Sequence, residues 1–393
     1  MIAVEEAQAR IFALKAPVEI ETISLLEAAR RWSADNVLAL RTQPARDLSA
    51  MDGYAVRFAD GAGPWRVIGE SAAGKRFSGS VGAREAVRIF TGAVVPDGAD
   101  SVVIQENVAL EGYTATLTGD ALTTLGQNVR REGADFRQGT TLIAKGAELH
   151  ARHIALSAMA GHGALAVHRR LKVAVVSTGD ELVPPGQPCA EDQIPSSNDL
   201  MLATMLREMP VDLTVVHAVA DDLDTLAAQF TTFNDQDIIV TTGGASVGDH
   251  DLIAPALQAA GGIIDFWKIA MRPGKPVIAG KISEAVVLGL PGNPVSAYVT
   301  ALLFLMPLIR HLGGARQTLP KRLTAILGTD LPANGARTDH IRASYVDGVI
   351  TPIGANDSAM LGALSTSNAL IIRDIDSAPL NKGMEVPYYA LPG

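Results

Sequence analysis

The stretch Asp237-Ile-Ile-Val-Thr-Thr-Gly-Gly-Ala-Ser-Val-Gly-Asp-His-Asp251 decides how the rest of the chain is arranged. It opens with Ile238 to Val240, an apolar, β-branched run of the length expected for a strand buried on both faces of a parallel sheet. Two threonines and a glycine-rich turn follow, and a helical pattern begins near Asp251. Strand, Gly-rich loop and helix N-terminus gather backbone N–H groups and a helix dipole around one point, which favours an anion, most often a phosphate. The loop ends in Asp249 and Asp251, which would repel a bare phosphate. A divalent cation between them removes the conflict, so the stretch reads as a phosphate-and-metal site.

The bulk composition bounds the surroundings of that site. A chain of 393 residues is too long for one ordinary core, so three or four domains are expected. Apolar residues at 48% and charged residues at 19% describe a soluble globular protein. The net charge of −9 and a pI near 5.4 argue against a sequence-independent nucleic-acid binder, which needs a basic face. The single cysteine, Cys189, excludes an intramolecular disulfide and a cysteine-built metal site, and fits a reducing, cytoplasmic compartment. The N-terminus carries Glu5 and Glu6 rather than the positive start of a signal peptide. The most apolar segment, Ala297 to Ile309, contains Pro307 and is shorter than a bilayer span, which predicts a buried helix and no membrane contact.

Patterning along the chain predicts a multidomain α/β protein. Val4 to Leu14 has helical spacing, and the capping-box pattern Ser24-Leu-Leu-Glu27 introduces a second helix to about Leu40. Residues 46–139 turn glycine-rich, with short β-prone runs at Ala86–Phe90 and Ser101–Gln105, and read as an inserted small β domain. A strand at Thr141–Ile143, a helix at His150–Ala160 closed by Gly161, and a strand at Leu165–His168 follow. Residues 1–45 and 140–170 together predict one discontinuous, mainly helical domain. In residues 171–312 strands alternate with helices: Val173–Val176, Asp199–Glu208, Leu213–Val219, a helix from Asp222 to Phe233, Ile238–Val240 and Val286–Leu290. That alternation predicts a mostly parallel sheet with helices on both faces. Asn293 as N-cap and Pro294 at the first helical position start its last helix. From Gly313 on, short strands between turns predict a C-terminal β-barrel over 313–393, with no repeats or low-complexity linker anywhere.

Ligands of open parallel sheets bind beyond the C-terminal ends of the strands. Three turns meet that description: Ser177-Thr-Gly-Asp-Glu181, Thr241 to Asp251, and Pro291-Gly-Asn-Pro294. None is a Walker A loop or a G-x-G-x-x-G, and glycines often serve only tight connections. Asp180, Glu181, Asp221, Asp222, Asp249 and Asp251 suit Mg²⁺ as a set, although Asp222 and Asp251 are also good helix caps. His250 lacks zinc-ligand spacing, and no nucleophile elbow occurs. Lys268, Arg272 and Lys275 lie in a short segment, Phe266 to Pro276, that reads as a loop leading to the same edge, where cations would neutralise phosphate charge. Outside this region, Ser49 to Val56, Arg88 to Ala93 and Asn128 to Asp135 read as structural turns on composition alone.

The motifs SAMDGYAVR (49–57), RIFTGAVVPDGADSVVIQE (88–106), NVRREGADF (128–136), STGDEL (177–182), TTGGASVGDHD (241–251), FWKIAMRPGKP (266–276) and GLPGNPVSA (289–297) follow one another in the chain. In that order they resemble the molybdopterin molybdenumtransferase family, the MoeA-type proteins similar to the E domain of gephyrin. The resemblance implies that adenylylated molybdopterin and molybdate are the substrates. Mg²⁺ assists cleavage of the pyrophosphate link, and AMP leaves as molybdenum enters the dithiolene. It also implies an elongated homodimer of four-domain subunits whose cleft lies between the α/β domain of one subunit and the inserted β domain of the other.

Carried over by motif, Asp52, Thr91 and Asp135 would face the cleft from the partner subunit. Asp180, Glu181, Asp221, Asp249 and Asp251 would handle metal or molybdate, and Lys268, Arg272 and Lys275 the departing phosphate. Ser177, Thr178, Gly179, Gly243, Gly244, Ser246, Pro291, Gly292, Asn293, Pro294, Arg342 and Ser358 would hold the pterin substrate. The chain departs from the family at Arg272, where lysine is usual, and at Asn356-Asp-Ser-Ala359, where Gln-Gly-Ser-Gly is usual. Two other readings share the α/β domain: a molybdopterin adenylyltransferase, normally a single small domain, and a non-catalytic scaffold, in which the acidic and cationic positions would be eroded. An adenylyltransferase is also expected as a transient partner that delivers the substrate.

Overall fold

The computed structural model describes residues 1–244, 252–354 and 357–391. At its centre is a six-stranded sheet in the order Val211–Val219, Leu171–Thr178, Ile238–Thr242, Ala285–Leu290, Pro276–Ile282, Ile263–Lys268. The first four strands are mutually parallel and the last two add antiparallel. All five residues of Ile238–Thr242 are buried, because alternate side chains enter different cores. Ile238 and Val240 pack with Leu202 and Leu206 of one helix and Val295 and Val299 of another. Ile239 packs on the opposite face with Leu226, Phe230, Ile253 and Leu257. A strand coated on both faces needs a continuous apolar run, and that is what the sequence supplies.

The connections fix where a ligand can sit. From Leu171–Thr178 the chain goes out through the helix Asn198–Leu206 to the edge strand Val211–Val219. It returns through the helix Leu223–Thr232 to the other side of the first strand. The strand order therefore reverses between Leu171–Thr178 and Ile238–Thr242, and their C-terminal ends open a crevice.

Asp237, 2% exposed, anchors the start of the central strand. Its carboxylate accepts from Lys15 Nζ at 2.7 Å, from Arg169 Nη1 and Nη2 at 2.6 and 2.9 Å, and from the Lys172 N–H at 2.9 Å. The network ties the end of the first helix, Val4–Ala13, and the strand Ala164–His168 to the sheet.

Two flanking sheets complete the architecture. The inserted segment forms a six-stranded sheet in the order Ser101–Ile104, Gly53–Val56, Glu85–Ile89, Trp65–Ser71, Thr114–Leu117, Val108–Glu111. The C-terminal strands close into a five-stranded barrel, because Thr338–Val346 pairs with both Val349–Pro352 and Ala369–Arg373. A short helix, Leu361–Ser365, interrupts the predicted all-β run there.

Three expectations are corrected. No helix spans residues 24–40. Ser24 and Glu27 do exchange the capping-box bonds (Glu27 N–H to Ser24 Oγ, 3.4 Å; Ser24 N–H to Glu27 Oε2, 3.3 Å), but they close only a turn. The following backbone donates elsewhere: Arg30 to Leu149 O, Ser33 to Ala147 O and Ala34 to Ala166 O. Segments distant in sequence supply the partners that a helix would have found locally, and tertiary pairing overrides propensity. Secondly, Phe266 to Pro276 is not a single loop. Ile263–Lys268 is the sheet's outer strand, and Met271–Arg272 pairs in parallel with Thr338–Val346 of the barrel. Thirdly, the apolar helix runs from Pro294 to Leu312, long and apolar enough to cross a membrane, but 83% of it is buried within the fold. Its wide turn at Ala301–Leu305 immediately precedes Pro307, whose missing N–H a regular helix would not accommodate.

Candidate active site

The crevice at the strand-order reversal is a cleft of ≈ 590 Å³. The turn after Leu171–Thr178, the turn after Ile238–Thr242, and Pro291 to Pro294 all line it. The three turns singled out in the sequence thus converge on one cavity. Gly243 and Gly244 both have positive φ, +102° and +57°. A Cβ on Gly243 would lie 2.2 Å from the Thr178 carbonyl oxygen and 2.8 Å from its hydroxyl. Only glycine lets the two turns approach so closely. Gly243→Ala is expected to strain the backbone by about 1–3 kcal/mol and push the turns apart. Thermal unfolding and ligand titration check this; an unchanged melting temperature with unchanged binding would contradict it.

Polar atoms of the wall are short of partners. Ser177 and Thr178 are buried, and neither hydroxyl has a hydrogen bond within the protein. Asn198, at the start of its helix, donates to Thr242 Oγ1 at 2.9 Å and to the Gly292 carbonyl at 2.6 Å, bracing two of the turns. Ser196, Ser197, Asn198, Pro276 and Ala359 also line the cleft and escaped sequence reasoning. The Ser-Ser-Asn run ahead of a helix was the available signal, since such residues gather at helix starts.

Three carboxylates crowd the acidic turn. Asp180 Oδ1 accepts the Asp221 N–H at 3.1 Å, and Glu181 and Asp221 line the cleft. Burial, then the charges of Asp180 and Glu181, push the Asp221 carboxyl above the ordinary range. The Thr178 side chain and the Asp180 backbone pull in the other direction. Like charges forced together in this way are relieved by a bound cation. Among the described residues no three His, Cys, Asp or Glu side chains are close enough to form a complete protein cage, so a metal here would rely on water and substrate oxygens. Ser246, Asp249 and Asp251 lie outside the described residues. Asp222 is a helix cap: its Oδ1 accepts the Thr225 N–H at 2.8 Å.

Other expected residues sit elsewhere. Lys268 and Lys275 are exposed, and Lys275 immediately precedes Pro276 at the cleft. Arg272 does not line the cleft; it is ion-paired with the buried Asp339 and borders a second cavity of ≈ 350 Å³ together with His340, Arg342, Ser358 and Arg373. The parallel pairing of Arg272 with Asp339 in adjacent strands places the two side by side. Asn293 occupies the N-cap position, but its side-chain amide donates to Ser358 Oγ at 3.0 Å instead of capping the helix. That bond joins the walls of the two cavities.

Asp52, Thr91 and Asp135 are on the inserted segment and do not line the cleft of their own chain. Asp52 Oδ1 accepts from the Thr91 N–H at 2.7 Å and its hydroxyl at 2.8 Å. These two bonds hold the Asp52 carboxyl below its usual range, with the Arg88 guanidinium adding to them. Arg88 is itself held over the rings of Tyr54 and Phe90, 5.2 and 5.0 Å from their centroids. Asp135 is exposed, its N–H bonded to the Gln43 carbonyl at 3.1 Å.

The chain is 34% identical to a molybdopterin molybdenumtransferase of Haemophilus influenzae, with 98% of each chain covered. It belongs to the MoeA family of molybdopterin molybdenumtransferases. A second relative of that name, from Nostoc sp., is 33% identical over 95% of this chain and 89% of its own. Three family models match in series: the MoeA N-terminal region (domain I and II) at residues 2–161, a "Probable molybdopterin binding domain" at 174–311, and the MoeA C-terminal region (domain IV) at 324–391. Among solved structures, a molybdopterin biosynthesis MoeA protein from Pyrococcus horikoshii superposes with a TM-score of 0.84 at 27% identity, each chain fully covered. As a MoeA-family protein the chain is a transferase of molybdenum cofactor biosynthesis. The cleft at the strand reversal lies within the residues matched by the molybdopterin-binding model, apart from Ala359.

Proposed function

We propose that this protein inserts molybdenum into adenylylated molybdopterin with release of AMP, assisted by Mg²⁺. The observation that carries the reading is the crowding of Asp180, Glu181 and Asp221 against a cleft whose glycine turns and unpaired hydroxyls suit a phosphorylated pterin. Bound beside these carboxylates, Mg²⁺ would neutralise charge on the pyrophosphate link and polarise a phosphate oxygen. Asp180, Glu181 and Asp221 would supply the carboxylates for that cation, which in turn would relieve their mutual repulsion. The turn at Gly243 and Gly244 offers backbone close to the ligand without side-chain obstruction.

Molybdate is a dianion, and the acidic turn is a poor place for it. The adjoining cavity suits it better: Arg272, Arg342 and Arg373 border it, and Arg373 Nη1 is buried without a partner. The Asn293–Ser358 bond sets that cavity directly beside the pterin cleft. Charge therefore sorts the substrates, oxyanion towards the arginines and metal-bound pyrophosphate towards the carboxylates. The active unit is a homodimer, with Asp52, Thr91 and Asp135 of a second copy completing the cleft.

Incubation of the purified protein with adenylylated molybdopterin, molybdate and Mg²⁺ tests the reading. AMP is expected to appear in step with molybdenum incorporation, to stop when EDTA removes the metal, and to resume when Mg²⁺ is restored. Failure to release AMP under these conditions would sink the proposal.

A further inference from the structure

The edge strand Val211–Val219 ends irregularly. Its parallel pairing with Leu171–Thr178 keeps step as far as Val176 opposite Val216, then slips, and Thr178 lies opposite Val219. His217 and Ala218 thus stand against Ser177 alone, a bulge of the kind that re-aims a side chain. Ala218 holds φ at +48°, a left-handed conformation that residues with a Cβ seldom adopt. At this bulge His217 Nδ1 meets the carboxylate of Asp199, in the first turn of the helix Asn198–Leu206.

Asp199 is fully buried. Its Oδ1 accepts from the Ser196 hydroxyl at 3.0 Å and from the Leu200 N–H at 2.9 Å, and its Oδ2 accepts from His217. An ionised carboxylate can only accept, so His217 Nδ1 carries the proton. An acidic residue in a first turn is already favoured by the helix dipole, and that role needs neither a histidine nor a strained bulge. What the pair adds is a hold on the cleft wall. Ser196 and Asn198 line the cleft, and Asn198 braces the turns at Thr242 and Gly292. The same strand end leads on to Asp221 of the acidic turn.

We infer that His217 is a positioning residue for the transfer reaction, acting through the buried Asp199 to fix Ser196 and Asn198 in the cleft wall. The inference rests on the molybdenum-insertion reading and extends it to a residue that does not line the cleft. Without the imidazole, Asp199 Oδ2 is a buried charged acceptor with no donor, which costs more than the bond itself contributes. Turning the carboxylate out to water removes that cost, but it releases the Ser196 hydroxyl and loosens the helix start that carries Asn198. The substrate must then order the wall itself, so binding weakens while the chemical step is spared.

The test measures AMP release by the full chain at saturating molybdate and Mg²⁺. His217 is half-exposed, so His217→Ala is expected to fold. It should raise the KM for adenylylated molybdopterin about tenfold and change kcat less than about threefold. Free imidazole should bring KM back towards the wild-type value, and His217→Gln, whose amide can donate to Oδ2, should lose less than His217→Ala. Asp199→Ala should match the KM of His217→Ala, and combining the two should add less than about twofold, because one residue acts through the other. Hydrogen exchange supplies a reading without substrate: amides 200–203 should exchange about tenfold faster in His217→Ala, and imidazole should reverse it. An unchanged KM, a loss confined to kcat, or effects of the two substitutions that multiply would each overturn the inference. If the wild type released no AMP, the functional reading would fall, and unchanged exchange at 200–203 would separately overturn the hold of His217 on the wall.

Discussion

Asp237→Ala is expected to cost about 3–5 kcal/mol of stability, the range for breaking a buried, multiply bonded ion pair from one side. The side chain is buried at the foot of the central strand, and its removal leaves Lys15 without its carboxylate and Arg169 with only the exposed Glu19. Burial alone would raise the Asp237 carboxyl, but the bonds from Arg169, Lys15 and the Lys172 N–H outweigh it and bring it to about 2. A carboxyl depressed in the folded state stabilises above its unfolded value, near 4, and loses that stabilisation as pH falls towards 2. The shift corresponds to about 2.5 kcal/mol, so the wild type should lose roughly that much between pH 5 and pH 2 through this group. Urea unfolding across that range reads both effects. A variant as stable as the wild type at pH 7, or one with an undiminished acid dependence, would show that the network is incidental.

Asp52→Ala should lower AMP release by ~10²–10³, as expected when a charged group aimed at the reacting centre is removed. The unusual feature is where Asp52 stands. It is fixed by two bonds from Thr91 and kept ionised, yet it is absent from the cleft of its own chain. A carboxylate held so firmly on the surface suits a partner surface. Its loss should leave the melting temperature nearly unchanged, because its partners Thr91 N–H and Oγ1 are exposed and can turn to water. Loss of folding along with activity would assign Asp52 a structural role instead.

How much of this was legible in the sequence follows from the physics of each element. The central strand and its Gly-rich turn were readable because burial on both faces demands the run Ile238 to Val240, and the close approach to Thr178 demands Gly243. The helix starts after Asp222 and Asn293 are readable because the Asp222 cap and Pro294 at the first helical position are local signals. Residues 24–40 were misread because their backbone bonds go to residues 147, 149 and 166, which no local window contains. Arg272 was assigned to phosphate because its partner, Asp339, lies 67 residues away in another sheet. Asn198 braces two turns through bonds to Thr242 and Gly292, 44 and 94 residues away, which no local pattern contains. The role of Asp52 and Thr91 came from family resemblance alone; composition around them suggests only a hairpin.

Coexpression of two inactive variants tests whether the cleft is shared between subunits. Asp52→Ala and Asp221→Ala, one tagged and one untagged, would be coexpressed and the mixed dimers allowed to form with the parents. If each cleft draws Asp221 from one subunit and Asp52 from the other, every mixed dimer contains one intact site and one doubly damaged site. Statistical mixing then restores about a quarter of wild-type AMP release, and purified mixed dimers about half. If both residues served the same cleft within one chain, every site in the mixture would carry one lesion, and AMP release would stay at the level of the single variants.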